Sequence, residues 1–332
     1  MNSVTNAPTA LTWSCDIPAL EITTSEDSLA LSVLVGSSTI QELTLYSYNG
    51  KIILWELRDL VETYMRDNEV STGSVSIVCD SMTLCSFNVV YLVGVMLGSC
   101  TTFCANYFLS LAQAKQLVPG ITETLYYYGS EDSATIRVAC RDEGVTRVVS
   151  QSVSVSGSVS VNKESLETLF DVTDIVGVTV IVGSRMMYYY INEDLSPDYV
   201  FRFVNYFGVR EVVPINCATS TNQEGKRTIA SVGRNALLAS LNHEVEHEVE
   251  TAPLSPLQCS LVEQLCESPK VWLLPSETSI VITERTCDLS DERGEMRSVK
   301  FTWRTLPGRR LVSLEPREST RIFTDEYDET YG

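Results

Sequence analysis

Between Val149 and Val161 the chain reads VSQSVSVSGSVSV, with valine on the odd positions, serine on every even one, and only Gln151 and Gly157 breaking the apolar set. A period of two is the period of a strand, so one face of this segment is apolar and packs while the seryl face stays wet. No helix accommodates it, because a 3.6-residue period would scatter the valines around the axis. Ser156-Gly157 interrupts the run where a hairpin turn or a bulge is expected. The chain must therefore provide a sheet for a long half-buried strand, and the rest of the sequence supplies one. Strand patterns recur near Ala30 to Val35, Glu42 to Tyr46, VSIVCDSMTLC, ETLYYYGSED, ATIRVACR, VGVTVIVG, RMMYYYIN, DYVFRFVNYFGVREVVPI, KRTIASV, VWLL, TSIVITER and SVKFTWRTL.

Helical signals are few. In LWELRDLVETYMRDN, Leu57, Leu60, Val61, Tyr64 and Met65 share one face. KESLETLFD makes a short helix. Ser255 with Pro256 behind it opens another, carried by Leu257, Leu261, Val262 and Leu265 and stopped at Ser268-Pro269. The expected fold class is mainly β (α+β), with β-sandwich or barrel-like domains and a few short helices. Three domains are expected: 1–115, β-rich with one helix; 116–200, a central β domain; and 201–332, β-rich with one helix, a turn at Pro307-Gly308 and an acidic tail. LYYYGSED from Leu125 and MYYYINED from Met187 echo each other, which fits either two related β units or chance likeness of aromatic strand ends.

Both histidines fall in one stretch, HEVEHEVE, from His243 to Glu250. As a helix it spells the zinc-peptidase string, with His243 and His247 one turn apart as ligands and Glu244 as general base. A helix from Asn235 would also align Leu238, Leu241, Val245, Val249 and Ala252. Against it stand like-charge pairs Glu244/Glu248 and Glu246/Glu250, and acidic residues at the end where the dipole opposes them. Only Glu263 offers a third ligand. As a strand the same residues place His243, Val245, His247 and Val249 on one face and four glutamates on the other, tolerable where that face is wet or meets basic partners. The balance falls to the strand, with a zinc metallopeptidase kept as the alternative.

With 43 acidic against 24 basic residues, the net charge of -19 repels phosphate backbones, so no nucleic-acid partner is expected. Charged residues are only 20% of the chain, which favours a surface partly covered by neighbouring subunits. Ten cysteines show no C-x-x-C pair, and the N-terminal sequence lacks a basic and apolar leader, so buried free thiols and folding in a reducing cytoplasm are expected. The uncharged run Ser81 to Ala114, centred on VVYLVGVML, is too short in its apolar part to span a membrane and reads as a buried strand broken at Gly98-Ser99, with a second element from Thr101. No phosphate loop, dinucleotide fingerprint or G-x-S-x-G elbow occurs, and DLSDERGE, Asp288 to Glu295, fits no calcium-loop spacing. No catalytic, cofactor-binding or metal residues are assigned, and neither a cofactor nor a small-molecule substrate is expected.

The order FLSLAQAKQLVPGITETLYYY, DYVFRFVNYFGVREVVPI, KRTIASV and TAPLSPLQCSLVEQLCESPKVWLL, over residues 103–285, resembles β-rich structural proteins of bacteriophage and prophage tail modules. The resemblance implies a non-enzymatic distal-tail or baseplate component of the virion, made in the host cytoplasm, that forms a homo-oligomeric ring and contacts other tail proteins. A capsid or head-decoration protein is the alternative within the same class. A carbohydrate-binding surface module is a further rival.

Overall fold

Alternating apolar residues become strands over most of residues 2–142, 144–192, 196–232, 235–287 and 297–305, which the computed structural model describes. The protein is mainly β, with a few short helices. Its N-terminal sheets come from β1 (Ser3–Val4), β2 (Thr12–Trp13), β3 (Leu20–Thr23), β4 (Ser28–Val35), β5 (Ser38–Tyr46) and β6 (Lys51–Leu54), then helix α1 (Leu57–Asp67), β7 (Thr72–Cys79) and β8 (Met82–Val90). They pair as β2-β8-β7-β4-β5 and β1-β3-β6, and the two sheets close on one core. In β4, Leu29, Leu31, Val33 and Val35 are buried and the residues between them are not. Helix α1 adds Leu57, Val61 and Met65, one face at i, i+4, i+8, to the same core. Each side chain so buried stabilises the fold by about 1.5–3 kcal/mol before entropy is counted.

The apolar run after β8 departs from expectation. Pairing stops at Val90; Tyr91 and Leu92 stay buried without being strand, and Gly94 takes a left-handed φ of 78°. Val93 then emerges and Met96 is 99% exposed. A left-handed residue breaks the extended backbone on which a buried strand depends. Helix α2 (Cys100–Asn106) follows, capped by Ser99, whose hydroxyl accepts from Thr102 N–H. The N-terminal segment therefore carries two helices, where one was expected.

The middle sheets use β9 (Ala114–Gln116), β10 (Glu123–Tyr126), β11 (Ser133–Asp142), β12 (Val145–Ser154), β13 (Ser158–Val161), helix α3 (Lys163–Phe170), β14 (Ile175–Val182) and β15 (Arg185–Tyr190). Five pair as β12-β11-β14-β15-β9 and two as β10-β13. The Val/Ser alternation survives, with Val149, Val153, Val155, Val159 and Val161 all facing one core. Ser156-Gly157 is neither hairpin nor bulge: it is a corner. Before it the strand pairs β11, and after it β10. Gly157, with φ 69°, turns the chain from one sheet to the other.

The C-terminal sheet contains β16 (Tyr199–Val204), β17 (Arg210–Ile215), β18 (Cys217–Val232), β19 (Asn235–Thr251), β20 (Val271–Leu274), β21 (Thr278–Cys287) and β22 (Val299–Thr305), in the order β17-β16-β20-β21-β22-β19-β18. Helix α4 (Pro256–Glu267) packs on it through Leu261, Val262 and Leu265. Its start follows the sequence: the Ser255 hydroxyl accepts from Gln258 N–H, while the Gln258 side chain accepts from Ser255 N–H. Pro307-Gly308, the acidic tail and DLSDERGE lie outside the described residues. Among the described residues no helix is long and apolar enough to cross a membrane.

A fourth core joins the three groups of sheets. Trp13, Val90, Leu92, Cys100, Cys104, Leu109, Phe207 and Val209 are buried together there. Phe103 of α2 stacks on Phe207 at 5.2 Å and meets Trp13 edge-on at 5.5 Å. Arg185, only 2% exposed, ties α2 to the middle sheets by donating to Cys104 O at 2.8 Å, Tyr128 O at 2.6 Å and Glu131 Oε1 at 2.8 Å.

Candidate functional site

HEVEHEVE is strand. The β19 ladder runs through it without a break, pairing His243 with Gly225, Glu244 with Glu224 and His247 with Thr221. Four residues along a strand cover about 13 Å, against about 6 Å along a helix, so the backbone withholds the one-turn spacing that the zinc reading requires. That helical alternative is corrected. The His247 ring lies flat on Trp303 of β22, with centroids 4.0 Å apart, and its Nδ1 is 3.2 Å from the Thr221 hydroxyl. Burial holds the His247 pKa below its ordinary value, because the imidazolium would lose water on the Trp303 face. On the opposite face Glu248 is exposed and Glu250 pairs with Lys300 at 3.3 Å. Among the described residues no cluster of His, Cys, Asp and Glu has the makings of a metal site.

The same hairpin has a second property. Among the described residues β19 pairs β22 through Glu246 to Glu250, whereas its ladder with β18 continues to Val232 and Asn235. Beyond Glu246 the two strands run on together for about 35 Å at the usual strand rise. Among the described residues no third strand joins them there. The far part of the ladder pairs Ile229 with Leu238 and Ala230 with Leu237, so apolar residue types gather toward the tip and glutamates toward the base.

A second exposed feature lies where β5 and β6 meet. Tyr46, Tyr48 and Trp55 are 80%, 81% and 72% exposed and line an open depression with Ile53 and Lys51. Asn49 and Gly50, both at positive φ, make the turn that sets Tyr48 beside them. The paired tyrosine triplets sit in like surroundings. Both belong to the middle sheets, one ending β10 and the other in β15, and the central residue of each, Tyr127 and Tyr189, points into the core.

Polar chemistry concentrates in one buried place, which the sequence did not reveal. Lys115 of β9, Glu123 of β10 and Glu211 of β17 are each 4% exposed or less. Lys115 Nζ pairs with Glu123 Oε1 and stands 2.6 Å from Glu211 Oε1. Ser110 Oγ donates to Glu211 Oε1 at 2.6 Å, and Asn205 Nδ2 donates to Glu211 Oε2 at 2.7 Å and to Leu109 O at 2.9 Å. Asn205 Oδ1 in turn accepts the backbone N–H groups of Phe207 (2.9 Å) and Val209 (3.3 Å), so donors and acceptors fix which way the amide faces.

Two carboxylates face one ammonium, so the charges balance only when a carboxyl is protonated. Burial raises the Glu123 pKa, and the Glu211 charge adds to it against the pull of Lys115. Burial works to lower Lys115, but the two carboxylates outweigh it and hold the ammonium. The Tyr189 hydroxyl, wholly buried and without a hydrogen-bond partner, is pushed well up by burial and by the charges of Glu123 and Glu211. No local pattern announces this cluster. Its residues span 101 positions from Ser110 to Glu211, and each alone reads as an ordinary polar residue at a strand or loop.

Cys79, Cys100, Cys104 and Cys140 are buried thiols outside any disulfide. No protein-family model matches the chain, and no curated protein matches it.

Proposed function

We propose that this protein is a non-enzymatic structural subunit of a virion, of the tail or baseplate type, which closes into a ring with copies of itself and contacts other tail proteins. The observation that carries the reading is the long hairpin of β18 and β19, along which, among the described residues, no third strand pairs for about 35 Å beyond Glu246. A two-stranded ribbon is marginal in water on its own, and its outer edges present unpaired N–H and C=O groups. A subunit that lends such an arm to a neighbour satisfies both needs at once. The exposed Tyr46, Tyr48 and Trp55 add a second surface of the composition that protein contacts favour. Arm and aromatic depression are different patches, and joining unlike patches head to tail is the geometry that generates rings.

Mass photometry and light scattering at micromolar concentration test the proposal. A ring of defined stoichiometry is expected, and deletion of residues 226–240 should reduce it to monomer while leaving the far-ultraviolet spectrum of the remaining sheets in place. A parent protein that stays monomeric at these concentrations, with and without other tail proteins, sinks it. Neighbouring genes separate tail from head: tape-measure and baseplate genes support the first, capsid and portal genes the alternative.

A further inference from the structure

We propose that the buried cluster is a self-modification site in which the Lys115 side chain forms an isopeptide bond with the Asn205 side chain, releasing ammonia. The nucleophile and the leaving group sit on the two oxygens of one carboxylate: Lys115 Nζ is 2.6 Å from Glu211 Oε1 and Asn205 Nδ2 is 2.7 Å from Glu211 Oε2. One carboxylate therefore bridges the two. The reaction requires side-chain rotation within the cluster to bring Nζ to the near-attack distance of about 3–3.5 Å from Cγ. The carbonyl to be attacked is already polarised, because Asn205 Oδ1 accepts from Phe207 N–H and Val209 N–H, which is the arrangement that stabilises a developing oxyanion.

The atoms balance without an oxidant, metal or cofactor. Lys115 begins as an ammonium and gives a proton to the Glu211 carboxylate, leaving a neutral amine. The carboxylates hold the ammonium, so the amine is the minor form, but with Glu123 protonated it carries no buried charge, which limits the cost of reaching it. The amine nitrogen attacks Asn205 Cγ and the C–N bond forms. Glu211 gives its proton to Nδ2 and, a carboxylate again, takes the second proton from the attacking nitrogen; the Cγ–Nδ2 bond breaks, and ammonia departs, becoming ammonium once it reaches water. Glu211 is the catalytic acid and base, touching both reacting nitrogens; Glu123 and Ser110 are positioning residues. The product would link β9 of the middle sheets to the loop between β16 and β17, a covalent brace across two groups of sheets.

Intact-mass spectrometry of the purified full chain, after incubation at neutral pH, tests this independently of oligomeric state and of the virion reading. The expected mass is that of the sequence, allowing for removal of Met1, less one ammonia. Fragmentation of a digest should show a branched peptide joining the Lys115 and Asn205 segments. Asn205→Ala and Glu211→Gln variants should retain the full sequence mass. A parent protein at full sequence mass overturns the proposal without reference to any variant. So does a mass lower by one ammonia with no branched peptide and with hydroxylamine cleavage after Asn205, which identifies a backbone succinimide instead.

Discussion

Replacing Arg185 by Met keeps an apolar stem of similar length and removes every donor that ties α2 to the middle sheets. Two of its close acceptors are backbone carbonyls, Cys104 O and Tyr128 O, the first in the last turn of a helix where no intrahelical partner is available; Val182 O, at 3.5 Å, adds little. Leaving each without a partner at a site where Arg185 is 2% exposed costs about 1–3 kcal/mol. The third, Glu131, has a side chain 35% exposed, which discounts its share. Loss of the positive charge beside a helix C-terminus adds a few tenths, about 0.3–1 kcal/mol. The sum is about 2–7 kcal/mol, concentrated on α2 and on the core around Trp13. Urea unfolding followed by tryptophan fluorescence should shift its midpoint down by on the order of 1 M, with Glu131→Gln shifting it far less. If Arg185→Met costs under about 1 kcal/mol, the carbonyls are satisfied in another way and the clamp described here is wrong.

The Ser255→Ala substitution removes one half of the α4 capping box and should cost about 1 kcal/mol in the same assay. Met96→Ser, at a side chain 99% exposed, should stay within about 0.5 kcal/mol, whereas Leu92→Ala, four positions earlier and buried, should cost about 2–5 kcal/mol. Hydrogen bonding to Lys270, with Arg210 adding, holds the Glu69 carboxyl below its ordinary value of 4.5, so it contributes stability that is present above that pH and lost as pH falls through the lower folded value. Acid unfolding curves should therefore flatten in Glu69→Gln, and unchanged curves would remove the bridge from the account. Desolvation lowers the His247 pKa below 6.5, so its stabilising contribution also fades as pH falls through the lowered value. Fluorescence of Trp303 against the imidazole should titrate with a midpoint under 6.5, and that component should vanish in His247→Asn.

Local pattern carried much of the fold. Period-two alternation marked β4, β14 and the valyl run, and the apolar stripe of α1 and the Ser255-Pro256 start of α4 lie where their residues place them. Positions where one residue breaks a pattern are less legible: Ser156-Gly157, where the alternation predicts a hairpin turn or a bulge, turns the chain from one sheet to another, and Gly94 ends a strand that its neighbours' apolar character extends. HEVEHEVE sits between these cases. Its alternation and its helical motif are both local, and the ladder to β18 and β22, closed by the ring of His247 on Trp303, favoured one period over the other.

The amino-acid order by itself determined which side of each strand is apolar, where three of the helices begin, and that the net charge of -19 is hostile to phosphate. It determined these because each depends on neighbours within a few residues, or on a sum over the chain. Only the tertiary structure decided which strands pair across Gly157, that β18 and β19 pair from Cys217 to Val232, and that Lys115, Glu123, Asn205 and Glu211 share one buried cluster. A charged side chain in a strand reads as solvent-facing until the chain closes over it. Whether it is then a surface group or a reactive one is set by residues about a hundred positions away.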